Sequence, residues 1–265
     1  MISQLGHITV GVVDSLMIGK ISVTQLGAVS LSVSIFSFIL LFCVGLSYGI
    51  TPLISSKKSD THYISKTLYN GIYLNLIFTI LLVVFTMYSK YFLEYLGQDR
   101  EVLSFTYKYL DIICISLFPL ILFQTFKQFI EGLGFTKPPM YISIFSNVLN
   151  ILLNIILIYG LFGFPRLEIV GAAYATLVSR VVMLIMVLIY CLNSKKFKKY
   201  ILLFESSWDY KSIKEIFSIG FTSGLQYIFE VGAFSIATII VGSIGTLQLA
   251  SHQIALNLAS ISYMV

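Results

Sequence analysis

Four long stretches of this chain contain no Asp, Glu, Lys or Arg: residues 21–56, 67–89, 138–165 and 231–265. Each exceeds the roughly 18 residues that mark a helix able to cross a bilayer. In hydrocarbon every backbone N–H and C=O must be paired, which leaves helices or closed barrels. Barrel strands are segments of about 10 alternating residues separated by turns, whereas these runs are longer and continuous. The chain therefore reads as an all-α polytopic membrane protein. Its composition is 57% hydrophobic and 11% charged, against about 25% charged in soluble domains. That deficit excludes an ordinary soluble domain, and it excludes disorder, which needs high charge and low hydrophobicity.

The apolar pattern predicts helices over about 2–18, 29–52, 68–88, 107–128, 139–160, 170–192 and 214–241, with an eighth starting near 248. Breaks fall at Gly19, Pro52, Gly97, the Gly132-Leu-Gly134 stretch, Gly163-Phe-Pro165, Gly242 and Gly245, because Gly and Pro punctuate helices. At about 20 residues per span, the length holds roughly seven or eight spans.

The net charge of +5 does not point to nucleic acid, because the basic residues sit in short gaps between apolar runs. The loops after the second, fourth and sixth helices carry eleven Lys or Arg, among them Lys57, Lys58, Lys195, Lys196, Lys198 and Lys199. Those after the first, third and fifth carry five: Lys20, Lys90, Arg100, Lys108 and Arg166. Positive residues stay inside, so the N-terminus and the even loops are expected to be cytoplasmic. The lysine cluster in the 193–213 loop could touch anionic lipid heads; a topological anchor is the simpler reading. Trp208 in that loop fits an interfacial position. Cys43, Cys114 and Cys191 lie in apolar surroundings without a C-x-x-C pair and read as packing residues.

A shift of 223 residues aligns Gly19-Lys-Ile21-Ser-Val-Thr-Gln25-Leu26 with Gly242-Ser-Ile244-Gly-Thr-Leu-Gln248-Leu249. Six helices separate the copies, an even number, so the repeat is parallel, as in transporters built from two similar halves.

Within the apolar runs, two carboxylates stand out: Asp14 in the first helix and Glu230 in the seventh. A charge in hydrocarbon is costly, so such residues are functional candidates by default. Asn147, Asn150 and Asn154 in the fifth helix are spaced i, i+3, i+7, and the sixth helix adds Thr176. A carboxylate with amide and hydroxyl oxygens is a hard-oxygen set suited to a small cation, and the same carboxylate could carry a proton. The alternative is hydrogen bonding that only glues helices together. Glu230 shares a face with Ser223, Gln226, Tyr227 and Phe234, a stripe able to line a cavity for a cationic guest.

The remaining polar residues read structurally. Asp111 is expected to pair with Lys108, and Arg180 to have a structural partner. Gly45/Gly49 and Gly220/Gly224 are small-xxx-small pairs that permit close helix approach. No H-E-x-x-H, phosphate loop or G-x-S-x-G is present, so no enzyme is expected. No bound cofactor is expected either, and no residue pattern fixes an oligomeric state.

Four segments in order resemble the multidrug and toxic compound extrusion (MATE) transporters, including their NorM-like branch. Val13-Asp14-Ser-Leu-Met-Ile18-Gly19 is similar to the family's first-helix pattern, and Glu131-Gly132-Leu-Gly134-Phe-Thr resembles its Gln-Gly-x-Gly-x-Thr turn. Asn150-x-x-x-Asn154, Tyr159-Gly160-x-Phe-Gly163-x-Pro165 and Gly171-Ala-Ala-Tyr-Ala-Thr176-x-x-Ser179-Arg180 resemble its fifth and sixth helices. Ala250-Ser-His252-Gln253-Ile-Ala-Leu-Asn257 is similar to Ala-Ala-His-Gln-Ile-Ala-x-Asn.

The resemblance implies two six-helix lobes around a central cavity in the plasma (inner) membrane. It implies antiport of small organic, often cationic compounds against Na+ or H+. Residues 1–192 would then be the N-terminal lobe, 193–213 the cytoplasmic inter-lobe loop, and 214–265 the seventh helix and the start of the eighth. By this resemblance 265 residues are part of a longer chain. Asp14, Asn150, Asn154 and Thr176 match the family's cation-coupling positions, a candidate Na+ site. Glu230 matches an acidic position of the NorM-like branch, and with Gln226 and Tyr227 it is expected at the substrate cavity. A lipid-linked oligosaccharide flippase of the same superfamily and a non-transporting membrane scaffold are the alternative readings.

Overall fold

A computed structural model describes residue 11, residues 13–203 and residues 208–264; side chains at 89, 96, 230, 231 and 260–264 lie outside that description. The regular structure of the described residues is all helical, without a strand. Helix α1 is described over residues 13–19, so the predicted positions before residue 11 lie outside the described residues. There follow α2 (Val23–Tyr48), α3 (Ile50–Ser56), α4 (Thr61–Ser89), a 3-10 turn (Lys90–Leu96), α5 (Arg100–Ile115) and α6 (Leu117–Gly132). The chain continues with α7 (Lys137–Tyr159), α8 (Glu168–Asn193), α9 (Lys195–Leu202), α10 (Tyr210–Ile244) and α11 (Thr246–Met264).

By length and apolar content, five segments can cross a membrane: Val23–Ser56, Thr61–Tyr95, Arg100–Gly132, Lys137–Tyr159 and Glu168–Asn193. A sixth is α10, if its two parts, Tyr210–Phe229 and Gly232–Ile244, form one span bent by 42°. This is fewer than the seven or eight expected. Only seven consecutive residues of α1 are described, and α11 carries Gln248, His252, Gln253 and Asn257, which lower its apolar content.

Two of the three longest spans each join two α-helices across a kink, and proline explains both kinks. Proline lacks the N–H that would bond the carbonyl four residues back. For Pro52 that carbonyl belongs to Tyr48, the last residue of α2; for Pro119 it belongs to Ile115, the last residue of α5. The second kink was not expected from the sequence. The helices α4, α5 and α10 each open on an aspartate. Asp60 accepts from the Tyr63 N–H at 3.0 Å, Asp99 from Glu101 at 2.8 Å, and Asp209 from Lys211 and Ser212 at 3.4 and 3.3 Å, satisfying N–H groups that a helix start leaves unpaired.

The core is organised around α2, which packs most extensively along α10. Glycines make that approach possible. A Cβ on Gly45 would lie 2.3 Å from the Gly224 Cα, and one on Gly220 would lie 2.4 Å from the Leu46 carbonyl oxygen. The two small-xxx-small pairs therefore face each other, and backbone meets backbone. Further along, α2 meets α11 with a feature of the repeat. Ser30 Oγ donates to Gln253 Oε1 at 2.7 Å, and these residues are 223 apart, the repeat shift itself. A position that touches its own counterpart is what a two-fold relation between copies generates.

Three expectations need correction. The 193–213 stretch is not a plain loop, because α9 lies inside it, with Phe197 and Tyr200 buried beneath. Asp111 pairs with Lys90, not with Lys108, because the 3-10 turn folds Lys90 back against α5. The predicted fourth helix begins at Arg100, not near 107, since its first turns are amphipathic and carry charge on the exposed face. Elsewhere the three cysteines are buried and free, and Trp208 is exposed and stacks on Tyr73 with ring centroids 6.3 Å apart.

Candidate functional site

The hairpin of α7 and α8 builds one wall of the site. Gly160 ends α7 in the left-handed conformation, with φ of 73°, a conformation glycine adopts without steric cost. A Cβ on Gly171 would lie 2.6 Å from the Leu157 carbonyl oxygen, and Ala172, Ala173 and Ala175 are fully buried. Small residues at the start of α8 thus bring it close to the end of α7. The second wall is α1. Its Met17 carbonyl accepts from the Tyr159 hydroxyl at 3.4 Å, and Asp14, one turn earlier, meets Asn154, just over one turn earlier on α7. The order of the contacts shows that α1 and α7 run parallel, as expected of a first and a fifth span.

The polar groups form one chain. Asn154 Nδ2 donates to Asp14 Oδ1 and, at 3.1 Å, to Asn150 Oδ1. Asn150 Nδ2 donates to Thr176 Oγ1 at 3.3 Å and to Ser179 Oγ at 3.4 Å. Ser179 Oγ donates to the Thr176 carbonyl at 2.9 Å, and Ser146 Oγ to the Ser179 carbonyl at 2.8 Å. Every member is buried: Asp14 and Thr176 are 8% exposed and Asn154 is fully covered. An ionised carboxylate in such surroundings is stable only when paired or hydrogen-bonded, and Asn154 supplies one donor. Arg180, one residue past Ser179, is close enough to act electrostatically on Asp14 and on buried Tyr109. Its guanidinium donates to Ser116 Oγ at 2.6 Å and lies 5.4 Å from the Phe36 ring centre, so it has structural partners.

One atom in this cluster is left over. Asn154 Oδ1 is buried without a hydrogen-bond partner, although buried polar groups are almost always paired. A carboxylate, two amides and a hydroxyl joined in one buried chain supply the oxygen types that a small hard cation takes. Asp14 supplies the one formal negative charge of the cluster, which a monovalent ion or a proton can balance in competition with the nearby Arg180. Among the described residues no three His, Cys, Asp or Glu side chains form a metal-binding group.

The structure brings Asp14, Asn150, Asn154 and Thr176 together. It leaves Asn147 out: Asn147 Nδ2 is buried without a partner, and three residues at about 100° each put it some 60° from Asn150. Its place is taken by Ser146, which with Asn150 and Asn154 makes an i, i+4, i+8 stripe. Neither Ser146 nor Ser179 is singled out as a site residue by the sequence, because it is their hydrogen bonds across α7 and α8 that join them to the cluster.

The proposed cavity residues lie on α10. Glu230 sits at the 42° bend between Phe229 and Gly232, and its side chain lies outside the described residues. Gln226 is exposed, whereas Tyr227 is half-buried against Tyr48, with ring centroids 5.9 Å apart. These two side chains therefore point to different surroundings.

The chain is similar over its full length to the multidrug resistance protein NorM of Vibrio cholerae serotype O1, at 29% identity, and covers 58% of that protein. It is 30% identical to NorM of Photobacterium profundum, covering 59% of it. The chain thus spans less than two thirds of the curated relatives it matches. Among solved structures, it superposes on an inward-facing multidrug resistance MATE transporter of the MOP superfamily with a TM-score of 0.85 at 21% identity, over 98% of this chain and 58% of that one. A MOP-superfamily transporter from Pyrococcus furiosus gives 0.73 at 20% identity, over 97% of this chain and 66% of that one. The family model described as MatE matches residues 1–156, more than half of the chain, and the chain belongs to that family.

Proposed function

We propose that this chain carries the cation site of a multidrug exporter that works by alternating access. The observation that carries this reading is the convergence of Asp14, Asn150, Asn154 and Thr176, with Asn154 Oδ1 left open. Na+ or a proton would be held at Asp14. A bound ligand shifts a two-state equilibrium only through its different affinity for the two states. The cluster can supply that difference, because it joins three separate helices and is complete only while α1 lies against α7.

In this reading residues 1–192 form one lobe, 193–213 the connection, and 214–265 the beginning of the second. Glu230, Gln226 and Tyr227, all carried by α10, would serve small organic, often cationic substrates. The protein sits in the inner membrane, with the N-terminus and the lysine-rich end in the cytoplasm. A scaffold has no use for a buried carboxylate beside an open oxygen. A flippase for lipid-linked oligosaccharides calls for a cationic cavity, whereas Arg180 is held by Ser116 and Phe36.

The test is dye efflux in everted vesicles, driven by an imposed Na+ or H+ gradient, with the chain extended to the length of its relatives. Asp14→Asn is expected to abolish gradient-driven efflux while the protein still inserts. Unchanged efflux would remove Asp14 from the coupling role.

A further inference from the structure

A second constellation lies at the lysine-rich end and takes no part in the cation site. The turn after α6 is its base. Gly134 adopts φ of 96°, the Gly134 N–H bonds the Glu131 carbonyl at 2.9 Å, and the Phe135 N–H bonds Ile130 at 3.1 Å. This helix cap swings Phe135 back under α9. There the Phe197 ring packs against Phe135 at 5.4 Å, Tyr190 at 5.7 Å and Phe129 at 5.9 Å. The far end of α9 is tied to α4 by Ser65 Oγ, which donates to the Tyr200 carbonyl at 2.8 Å. The helix is thus fixed on an aromatic floor, with its lysines outward.

Between α9 and the turn lies a cleft of about 440 Å³, rimmed by Lys58, Lys195, Lys196 and Lys199. Two ammonium groups sit over rings: Lys196 at 4.7 Å from the Phe135 centre and Lys199 at 4.6 Å from Tyr200. No ion pair among the described residues involves any of the four. Four like charges around one cleft repel each other unless an anion joins them. A topological signal needs only lysines at the right end of the chain; it does not need them gathered on one rim.

An apolar groove of about 500 Å³ lies between Ile142 of α7 and Met186, Ile189 and Tyr190 of α8. It ends at Asn193 and Ser194, and the next residue, Lys195, already lines the cleft. A positive cleft continued by an apolar groove along two spans matches an amphiphile with an anionic head. A soluble phosphate would use the cleft alone.

We propose that the cleft and the groove together bind one anionic phospholipid. Its phosphate is held by Lys58, Lys195, Lys196 and Lys199, and an acyl chain lies along Ile142 and Ile189. The site is independent of the cation reading, because it shares no residue with the Asp14 cluster.

The experiment is native mass spectrometry of the purified full chain released from nanodiscs of mixed phosphatidylglycerol and phosphatidylcholine. The wild type is expected to retain phosphatidylglycerol at least ten times more often. The quadruple Lys→Gln variant should lose that preference, and the quadruple Lys→Arg variant should keep it. Ile189→Asn, at an exposed position, should weaken retention of both lipids, and millimolar glycerol phosphate should not displace the bound lipid. Circular dichroism checks folding; should the Gln variant fail to fold, the wild-type preference and Ile189→Asn still decide. Equal retention of the two lipids by the wild type, or an unchanged preference in a folded Gln variant, overturns the proposal. Full displacement by glycerol phosphate would also overturn it, as the mark of a soluble-phosphate site without the groove.

Discussion

Two buried polar networks cross the helix interfaces of this chain, and they differ by one charge. In the first, Asn154 and Asn150 link Asp14 on α1 to Thr176 and Ser179 on α8. In the second, Asn75 on α4 donates to Ser47 on α2 at 3.2 Å and to Thr125 on α6 at 2.8 Å. Both are almost fully covered, and both leave an amide oxygen open, Asn154 Oδ1 in one and Asn75 Oδ1 in the other. The second network is neutral throughout. Its hydrogen bonds join helices, and each such bond is worth about 0.6 kcal/mol on average between membrane helices. The first holds a carboxylate, which in a dry interior calls for a cation or a proton. Similar architecture with and without a charge separates glue from ion handling inside one molecule.

The comparison can be broken by substitution. The largest effect is expected from Asn154→Leu, which removes both the donor to Asp14 and the open oxygen. A hydrogen bond to a charged group contributes about 1.5–3 kcal/mol, so stability in detergent should fall by that order and any cation response should vanish. A loss well under about 1 kcal/mol would mean that Asp14 does not depend on Asn154. Asn75→Val should cost less, about 0.6–1.7 kcal/mol, and should leave the cation response intact. If it erases that response, charge is not what distinguishes the networks.

A carboxylate outside the spans sets the baseline. Asp209 pairs with Lys66 at 3.1 Å, and the hydrogen bond from Lys66, helped by those from the Ser212 and Lys211 N–H groups, holds its carboxyl below the usual range against the opposing effect of desolvation. A carboxylate lowered in the folded state contributes stability above its unfolded pKa and loses it as pH falls through the lowered value. Asp209→Asn should therefore flatten a small acid-side slope in stability without changing behaviour near neutral pH. It should matter less as salt is added, as for exposed pairs in general. A large effect at neutral pH would contradict this.

Much of this was legible in the sequence, for physical reasons. Charge-free runs located the spans because a bilayer tolerates few charges. The glycine pairs at 45/49 and 220/224 announced a close helix contact because only small residues let backbones meet. Asp14 drew attention because carboxylates are rare in spans. Contacts between distant residues were harder. Lys90 and Asp111 meet because of a 3-10 turn that no local pattern signals. Helix α9 has two buried residues, Phe197 and Tyr200, among four lysines, too few for a clear period. Serines 146 and 179 are common helix residues, and only the tertiary fold shows that they extend the amide network.

The most direct measurement is the cation dependence of thermal stability of the purified chain, as wild type, Asp14→Asn and Asn75→Val, with and without Na+ across neutral pH. An ion that binds only the folded state stabilises it by about 2.7 kcal/mol at 100 times its dissociation constant. The wild type and Asn75→Val should be stabilised by Na+ or by protons to the same extent, and Asp14→Asn should not respond to that ion. A response that survives in Asp14→Asn would contradict a cation site at Asp14.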